Sequence, residues 1–310
     1  MDETFKNIIR TARPRQWIKN LSLFTGIIFS GWLFRWDKLE VVIEAFLAFC
    51  LIASCVYIFN DIVDAPKDKN HPFKKNRPIA SGKLSMEMAI FSAIVILIIG
   101  LTWAINLSFF FFVLSLIYIL VNFLYSTVLK NITIIDVITI ASGFVLRVYS
   151  GAVVVNAHIN VWLLLCVVSF SLFLAIGKRR AERTMLQASA RHKHREVLMH
   201  YPENLLTIYT AMFATSTWIT YALFTFQFQT SYRYGPVISL LEDLPRAFIS
   251  QKLLMATIPI VIYGIMRYLQ LIYDQSKGSS PDEIVTSDKP LMFSVLGWIG
   301  MVIIILYGIG

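Results

Sequence analysis

The chain has 310 residues, of which 57% are hydrophobic and only 15% charged, with a formal net charge of +9. A soluble domain carries about 25% charged residues, so this composition excludes an ordinary water-soluble fold and makes lipid the solvent. Cys50, Cys55 and Cys166 each sit inside an apolar run without the spacing of a metal or disulfide set, and read as small buried hydrophobes.

The first twenty residues are polar and basic, without the apolar core of a secretory signal. A bilayer crossing takes about 20 mostly apolar helical residues. In chain order nine segments meet or approach that: 17–36, 39–60, 86–106, 108–128, 132–155, 161–177, 205–228, 250–273 and 290–309. The third and fourth are nearly fused, with a turn expected at Asn106 to Ser108. The runs are continuous rather than alternating, which excludes a β-barrel. The expectation is an all-α polytopic membrane protein forming one domain over 1–310.

Lys and Arg placement sets the orientation. With a cytoplasmic N-terminus, the cytoplasmic tail and loops hold 21 of the 28 Lys and Arg residues, and the outer loops hold only Arg35, Lys38, Arg233, Arg246 and Lys252. The positive charge therefore belongs to one face, where it suits anionic lipid or an anionic substrate. Its dispersal over membrane-proximal loops excludes nucleic acid as a partner.

One acidic segment stands out on that face. Asn60-Asp61-Ile62-Val63-Asp64-Ala65-Pro66-Lys67-Asp68 directly follows the apolar run that ends at Phe59. At about 100° per residue, Asn60, Asp61, Asp64 and Asp68 share one arc of a helix. Three carboxylates on one face repel one another and need a cation at a membrane boundary. Hard oxygens suit Mg²⁺, which completes its shell with water and substrate phosphates. Lys74, Lys75 and Arg77 follow closely, and cations beside a metal-binding acid face are the pattern of a diphosphate site.

At these residues the sequence resembles the UbiA superfamily of intramembrane prenyltransferases. The acidic segment, with Arg77-Pro78-Ile79-Ala80-Ser81-Gly82, looks like that family's first signature, and Tyr125, Lys130 and Asp136 look like its second. The resemblance implies a nine-helix bundle with cytoplasmic active-site loops. Members with a prenyl diphosphate donor carry a second acid four residues after the first in the second signature; here Ile140 stands there. Further segments are similar to the decaprenyl-phosphate phosphoribosyltransferase branch: Arg13-Pro14 with Gln16-Trp17 and Lys19-Asn20, Gly143-Phe144 with Leu146-Arg147, Gly177 to Glu182, Arg267-Tyr268 with Tyr273, and Ser280 to Leu291. That branch implies phosphoribosyl pyrophosphate as donor, a polyprenyl phosphate as acceptor, Mg²⁺ as cofactor and a prokaryotic inner or plasma membrane as location.

The resemblance and the charge pattern together assign roles. Asp61 and Asp64 are the expected catalytic metal ligands, joined by Asp68, with Asn60 in support. Lys74 and Arg77 are expected on pyrophosphate, and Tyr125 and Lys130 on a donor phosphate or ribose hydroxyl. Asp136 is expected on metal or ribose in preference to an ion pair with Lys130. Lys19, Lys178 and Arg179 are expected on the acceptor phosphate or the 5-phosphate, and Arg147 on phosphate or paired with an Asp. His71 is read as shaping a turn, His192, His194 and His200 as solvated, and Phe109 to Phe112 as lipid-facing or packing residues. Prenyl transfer to an aromatic or glycerol-phosphate acceptor is the main alternative. A transporter is the other, disfavoured because the charges gather at one face instead of the bilayer midplane. A homo-oligomer stays open.

Overall fold

The computed structural model describes residues 3–69, 74–188, 201–228, 252–274 and 281–309. His71, His192, His194 and His200 lie outside the described residues. Every described element is helical. The chain separates into two compact units, Met1–Thr139 with Leu146–His158, and Ile140–Val145 with Ile159–Gly310.

Among the described residues seven helices are long and apolar enough to cross a bilayer: Trp36–Asp68, Met86–Leu107, Phe109–Thr127, Ile135–Val154, Val161–Thr184, Leu253–Tyr273 and Lys289–Gly308. The protein is an integral membrane protein. Against the nine spans expected, two segments fall outside this set. Segment 205–228 lies in one continuous helix, Glu203–Gln227, but is rich in Thr. Thr210, Thr217 and Thr220 donate back to the carbonyls of Leu206, Phe213 and Ser216, which keeps those hydroxyls satisfied within the helix. Segment 17–36 is not a single helix at all, for reasons given next.

The first unit opens with α1 (Glu3–Ala12), an eleven-residue 3₁₀ helix (Pro14–Phe24) and the short α2 (Thr25–Phe29). A 3₁₀ run rarely exceeds three or four residues, so tertiary contacts must sustain this one. They are visible: Trp17 Nε1 donates to Ser54 Oγ at 3.0 Å, Asn20 Nδ2 to Cys50 Sγ at 3.2 Å, and Leu23 is fully buried. The backbone passes so close to Gly151 that a Cβ there would meet the Leu23 carbonyl oxygen at 1.9 Å.

Helix α3 (Trp36–Asp68) is the centre of this unit. At 33 residues it is about 50 Å long, longer than the bilayer core. It packs on α4 (Met86–Leu107) and α5 (Phe109–Thr127). Small residues make the approach close. Ala45, Ala48 and Ala53 of α3 join Ala104 in one core, and a Cβ on Gly100 would lie 2.9 Å from Ile52 Cγ1. Without a hydrophobic drive between helices in lipid, such close packing supplies the dispersion contacts. The turn between α4 and α5 falls at Ser108, in extended conformation, within the expected interval. Phe109 and Phe110 are exposed and face outward, whereas Phe111 is buried in the core and Phe112 packs against it. Helix α6 (Ile135–Val154) closes the unit apart from Ile140–Val145, which is grouped with the second.

The second unit holds α7 (Val161–Ala188), α8 (Glu203–Gln227), a 3₁₀ turn (Leu253–Thr257) running into α9 (Ile258–Asp274), α10 (Pro281–Ser287) and α11 (Lys289–Ile303). Its core gathers Phe173, Ala214, Ile265, Tyr268, Leu271 and Leu291. Asp288 caps α11, accepting from Leu291 N at 2.9 Å, and also accepts from Arg267 Nη2 at 2.7 Å.

Two glycines make the packing testable. Gly151→Ala forces a Cβ onto the Leu23 carbonyl and should cost about 3 kcal/mol. Gly297→Ala on α11 meets nothing within 4 Å and should hold or raise stability, because Ala is the better helix former. Thermal unfolding in detergent reads both, and equal midpoints for the two variants would refute the close approach.

Candidate functional site

The acidic residues lie in the last turns of α3, which continues unbroken through Asp61, Asp64 and Pro66 to Asp68. A helix C-terminus carries the negative end of the macrodipole, so carboxylates there are doubly disfavoured without cations. Each has one. Arg77 Nη1 reaches Asp61 Oδ1 at 3.0 Å and Asp68 Oδ2 at 2.5 Å. Arg13 Nη2 donates to the same Asp61 oxygen. Lys130 Nζ lies 2.6 Å from Asp64 Oδ1. Asp61, Asp64 and Asp68 are thus balanced one for one by Arg13, Arg77 and Lys130. The Asp61 side chain is only 3% exposed, so pairs in this setting interact far more strongly than surface ion pairs.

The cations are held in place by local structure. Arg77 begins a tight loop in which Ser81 N donates to Arg77 O, Gly82 N to Ile79 O and Leu84 N to Pro78 O. Gly82 supplies the φ of +76° that the loop needs, and Ile79 and Leu84 bury against Ala12, Ile58, Ala65 and Ala89. Lys130 sits in a 3₁₀ turn (Leu129–Asn131), 5% exposed. Just after it Ile134 has φ 72°, an outlier for a β-branched residue, and Asp136 follows in the first turn of α6 at 1% exposure. Arg13 is left-handed too, at φ 54° and ψ 60°, immediately before Pro14. Such conformations cost on the order of 1–3 kcal/mol and cluster where a side chain must be aimed.

The other expected residues divide. Asn60 joins the site through Ser126 Oγ, which donates to its Oδ1 at 3.0 Å. Lys74 is exposed on a 3₁₀ turn (Lys74–Asn76), and Tyr125 is half-buried near the end of α5. Lys19 Nζ donates to Gln16 Oε1 at 2.5 Å. Arg147, 4% exposed, donates from Nε to Asn20 Oδ1 and from Nη2 to Tyr118 OH, both at 2.8 Å, with its guanidinium over the Tyr118 and Phe49 rings. Lys178 and Arg179 belong to the second unit. There Arg179 is fully buried, 2.5 Å from Glu182 Oε2, and Arg180 bonds Thr207 and Glu203 while stacking 3.5 Å over the Tyr273 ring. Arg13, Ser126 and Tyr118 were not expected as site residues. Arg13-Pro14 ahead of an apolar run was the visible signal for the first.

The donor set fits a divalent cation. Two carboxylate oxygens, from Asp61 and Asp68, converge on one Arg77 nitrogen, and both are hard ligands. No trio of Asp, Glu, His or Cys is close enough to hold a metal by itself among the described residues. The expected trio of Asp61, Asp64 and Asp68 is not gathered as a metal cluster; Mg²⁺ commonly takes one or two carboxylates and leaves the remaining positions to water and phosphate. Asp64, expected on the same metal, is turned to Lys130 here.

Comparison with known proteins now bears on the site. The model of the UbiA prenyltransferase family matches residues 21–241. The decaprenyl-phosphate phosphoribosyltransferase of Corynebacterium glutamicum is 32% identical over 305 residues, covering 97% of this chain and 86% of that protein. The enzyme of the same name from Mycolicibacterium smegmatis is 30% identical over 303 residues, covering 95% and 91%. A UbiA homolog from Archaeoglobus fulgidus, solved bound to GPP and Mg²⁺, superposes with a TM-score of 0.69 at 19% identity, covering 97% of this chain and 99% of that one. At that identity it bears on fold alone.

The Lys130–Asp64 pair predicts a stability pattern. Lys130→Met leaves Asp64 beside two other carboxylates and should cost about 3 kcal/mol. The double variant Lys130→Met/Asp64→Asn should recover a large part of it. Additive losses in a double-mutant cycle would show that the two do not interact.

Proposed function

The chain belongs to the UbiA prenyltransferase family, and from that premise we propose that it transfers 5-phosphoribose from phosphoribosyl pyrophosphate to a polyprenyl phosphate. The products are polyprenylphosphoryl-5-phosphoribose and pyrophosphate. The observation that carries the proposal is the charge balance at the end of α3, three carboxylates against three cations. A Mg²⁺ entering alone would leave the site two charges positive. A diphosphate entering with it offsets that positive charge, so metal and diphosphate are suited to arrive together. Ile140 in place of a second acid after Asp136, and full-length similarity to the two phosphoribosyltransferases, favour a sugar diphosphate over a prenyl one.

In this function Asp61 and Asp68 would hold Mg²⁺, with Asp64 available to it where Lys130 engages substrate. Bound there, Mg²⁺ neutralises charge developing on the departing pyrophosphate. Arg77 and Lys74 take pyrophosphate oxygens, and Lys130 and Tyr125 take a donor phosphate or ribose hydroxyl. Asp136 contacts the ribose, and Asn60, fixed by Ser126, supports the carboxylate row. Lys19 and Arg147 are the proposed counterions for the remaining phosphates. The acceptor phosphate is already anionic near neutral pH, so its oxygen attacks C1 without a general base. A single displacement inverts C1. The Lys and Arg distribution supports a cytoplasmic location for this chemistry, where a soluble donor would be available.

Membranes bearing the protein, supplied with Mg²⁺, labelled phosphoribosyl pyrophosphate and a polyprenyl phosphate, should yield lipid-linked label. Absence of that label, together with consumption of geranyl diphosphate on an aromatic acceptor, would establish prenyl transfer instead. Asp61→Asn and Asp64→Asn should each lower the rate by roughly a hundredfold or more while the protein stays folded in the membrane. Full activity in both variants would remove the carboxylates from the mechanism.

A further inference from the structure

Arg13 holds a place that the diphosphate donor proposed above does not explain. It donates to Asp61 Oδ1, the same oxygen that Arg77 reaches at 3.0 Å. Asp61 is therefore covered by two guanidiniums on one oxygen, while the Asp61–Asp68 pair already has Arg77 as a bridge. A divalent cation approaching Asp61 meets two like charges, and both must give way. Arg77 is anchored by its loop. Arg13 sits at the hinge between α1 and the 3₁₀ helix, in a left-handed conformation that a following proline makes still more restricted. Its side chain is 25% exposed, against 3% for its partner. The Tyr57 ring lies 5.6 Å from its guanidinium and faces the same charge.

We propose that Arg13 is an exchangeable counterion: it covers Asp61 in the metal-free protein and passes to the diphosphate when metal and diphosphate enter together. The inference rests on the donor reading above only in requiring a diphosphate. In the metal-free protein Arg13 cancels charge that would otherwise push Asp61 and Asp68 apart. With the metal in place the same guanidinium faces the phosphoryl oxygens, where a planar fork of donors is most effective. Metal binding and diphosphate binding then share one cation, and each strengthens the other through its release.

The test uses the full-length protein in detergent, with Mn²⁺ in place of Mg²⁺ followed by electron paramagnetic resonance and inorganic pyrophosphate as the probe. Arg13→Gln should bind Mn²⁺ roughly tenfold more tightly than wild type without pyrophosphate, because the competing cation is gone. Pyrophosphate should tighten Mn²⁺ binding in wild type and do so by a much smaller factor in Arg13→Gln. Arg13→Lys keeps the charge and should keep Mn²⁺ affinity within about twofold of wild type. Mn²⁺ binding in Arg13→Gln equal to or weaker than wild type, with an unchanged unfolding temperature, overturns the proposal. So does an undiminished effect of pyrophosphate in that variant. If the Mn²⁺ pattern holds while geranyl diphosphate, and not phosphoribosyl pyrophosphate, displaces pyrophosphate, the counterion role stands and the sugar donor falls.

Discussion

Three carboxylates at the C-terminal end of a membrane helix constitute the constraint to which the first unit answers. Lipid tolerates them only with compensation, and the dipole of α3 adds to their repulsion. The compensation comes from three separate places in the chain: Arg13 ahead of the 3₁₀ helix, Arg77 in the loop after α3, and Lys130 after α5. Each needs its own local device. Arg13 and the segment after Lys130 use positive-φ residues, and the Arg77 loop uses Gly82 with Pro78, Ile79 and Ala80 turned inward. Strain at Arg13 and Ile134 persists because the surrounding packing holds these positions. The 3₁₀ helix is part of the same solution, since it carries the chain away from Arg13 while Trp17 and Asn20 bond to α3.

Much of this was legible in sequence because the signals are local. The end of the apolar run at Phe59, the acids at spacings of three and four, and the Arg77 loop with its Pro and Gly are contiguous in the chain. The Ser108 turn was legible for the same reason. What escaped depends on partners far apart. Asp64 and Lys130 are separated by 66 residues, and Arg13 and Asp61 by 48. Periodicity carries no information about such pairs, so Arg13 read as part of a family-like segment with no partner assigned. The same limit hid the broken first segment. Its composition is apolar enough for a span, but side-chain bonds from Trp17, Asn20 and Arg147, together with the tight approach at Gly151, impose another backbone. Arg147 shows the complementary case: a charge inside a span signals something costly, but its neutral hydrogen-bond acceptors on Asn20 and Tyr118 are invisible until the fold is known.

The second unit shows how resemblance can outrun role. Gly177 to Glu182, Arg267 with Tyr268 and Tyr273, and the segment leading to Asp288 were singled out together as family-like. In the structure they brace one another. Arg180 stacks on Tyr273, Arg267 grips Asp288 at the cap of α11, and Gly177 admits the Tyr268 hydroxyl within 2.5 Å of where a Cβ would stand. The Arg267 guanidinium holds the Asp288 carboxyl below its usual range, so this brace is present above the ordinary carboxylate pKa and weakens as pH falls through the lowered one. Helix positioning therefore accounts for part of the basic content of these segments.

The two sets of arginines differ in what they neutralise. In the second unit Arg267 and Arg179 answer acids on neighbouring turns or caps, pairs that are complete in themselves. At the end of α3 the pairing is complete only until a divalent cation is added. A site whose own charges cancel, and where a metal's charge is offset only by an accompanying diphosphate, disfavours the metal alone by the cost of an uncompensated charge in a poorly solvated place. That favours a diphosphate that arrives with its metal, as the proposed donor would. In the proposed function the residues of α3 contribute exchange of cations among Asp61, Asp68 and the donor in preference to acid–base chemistry.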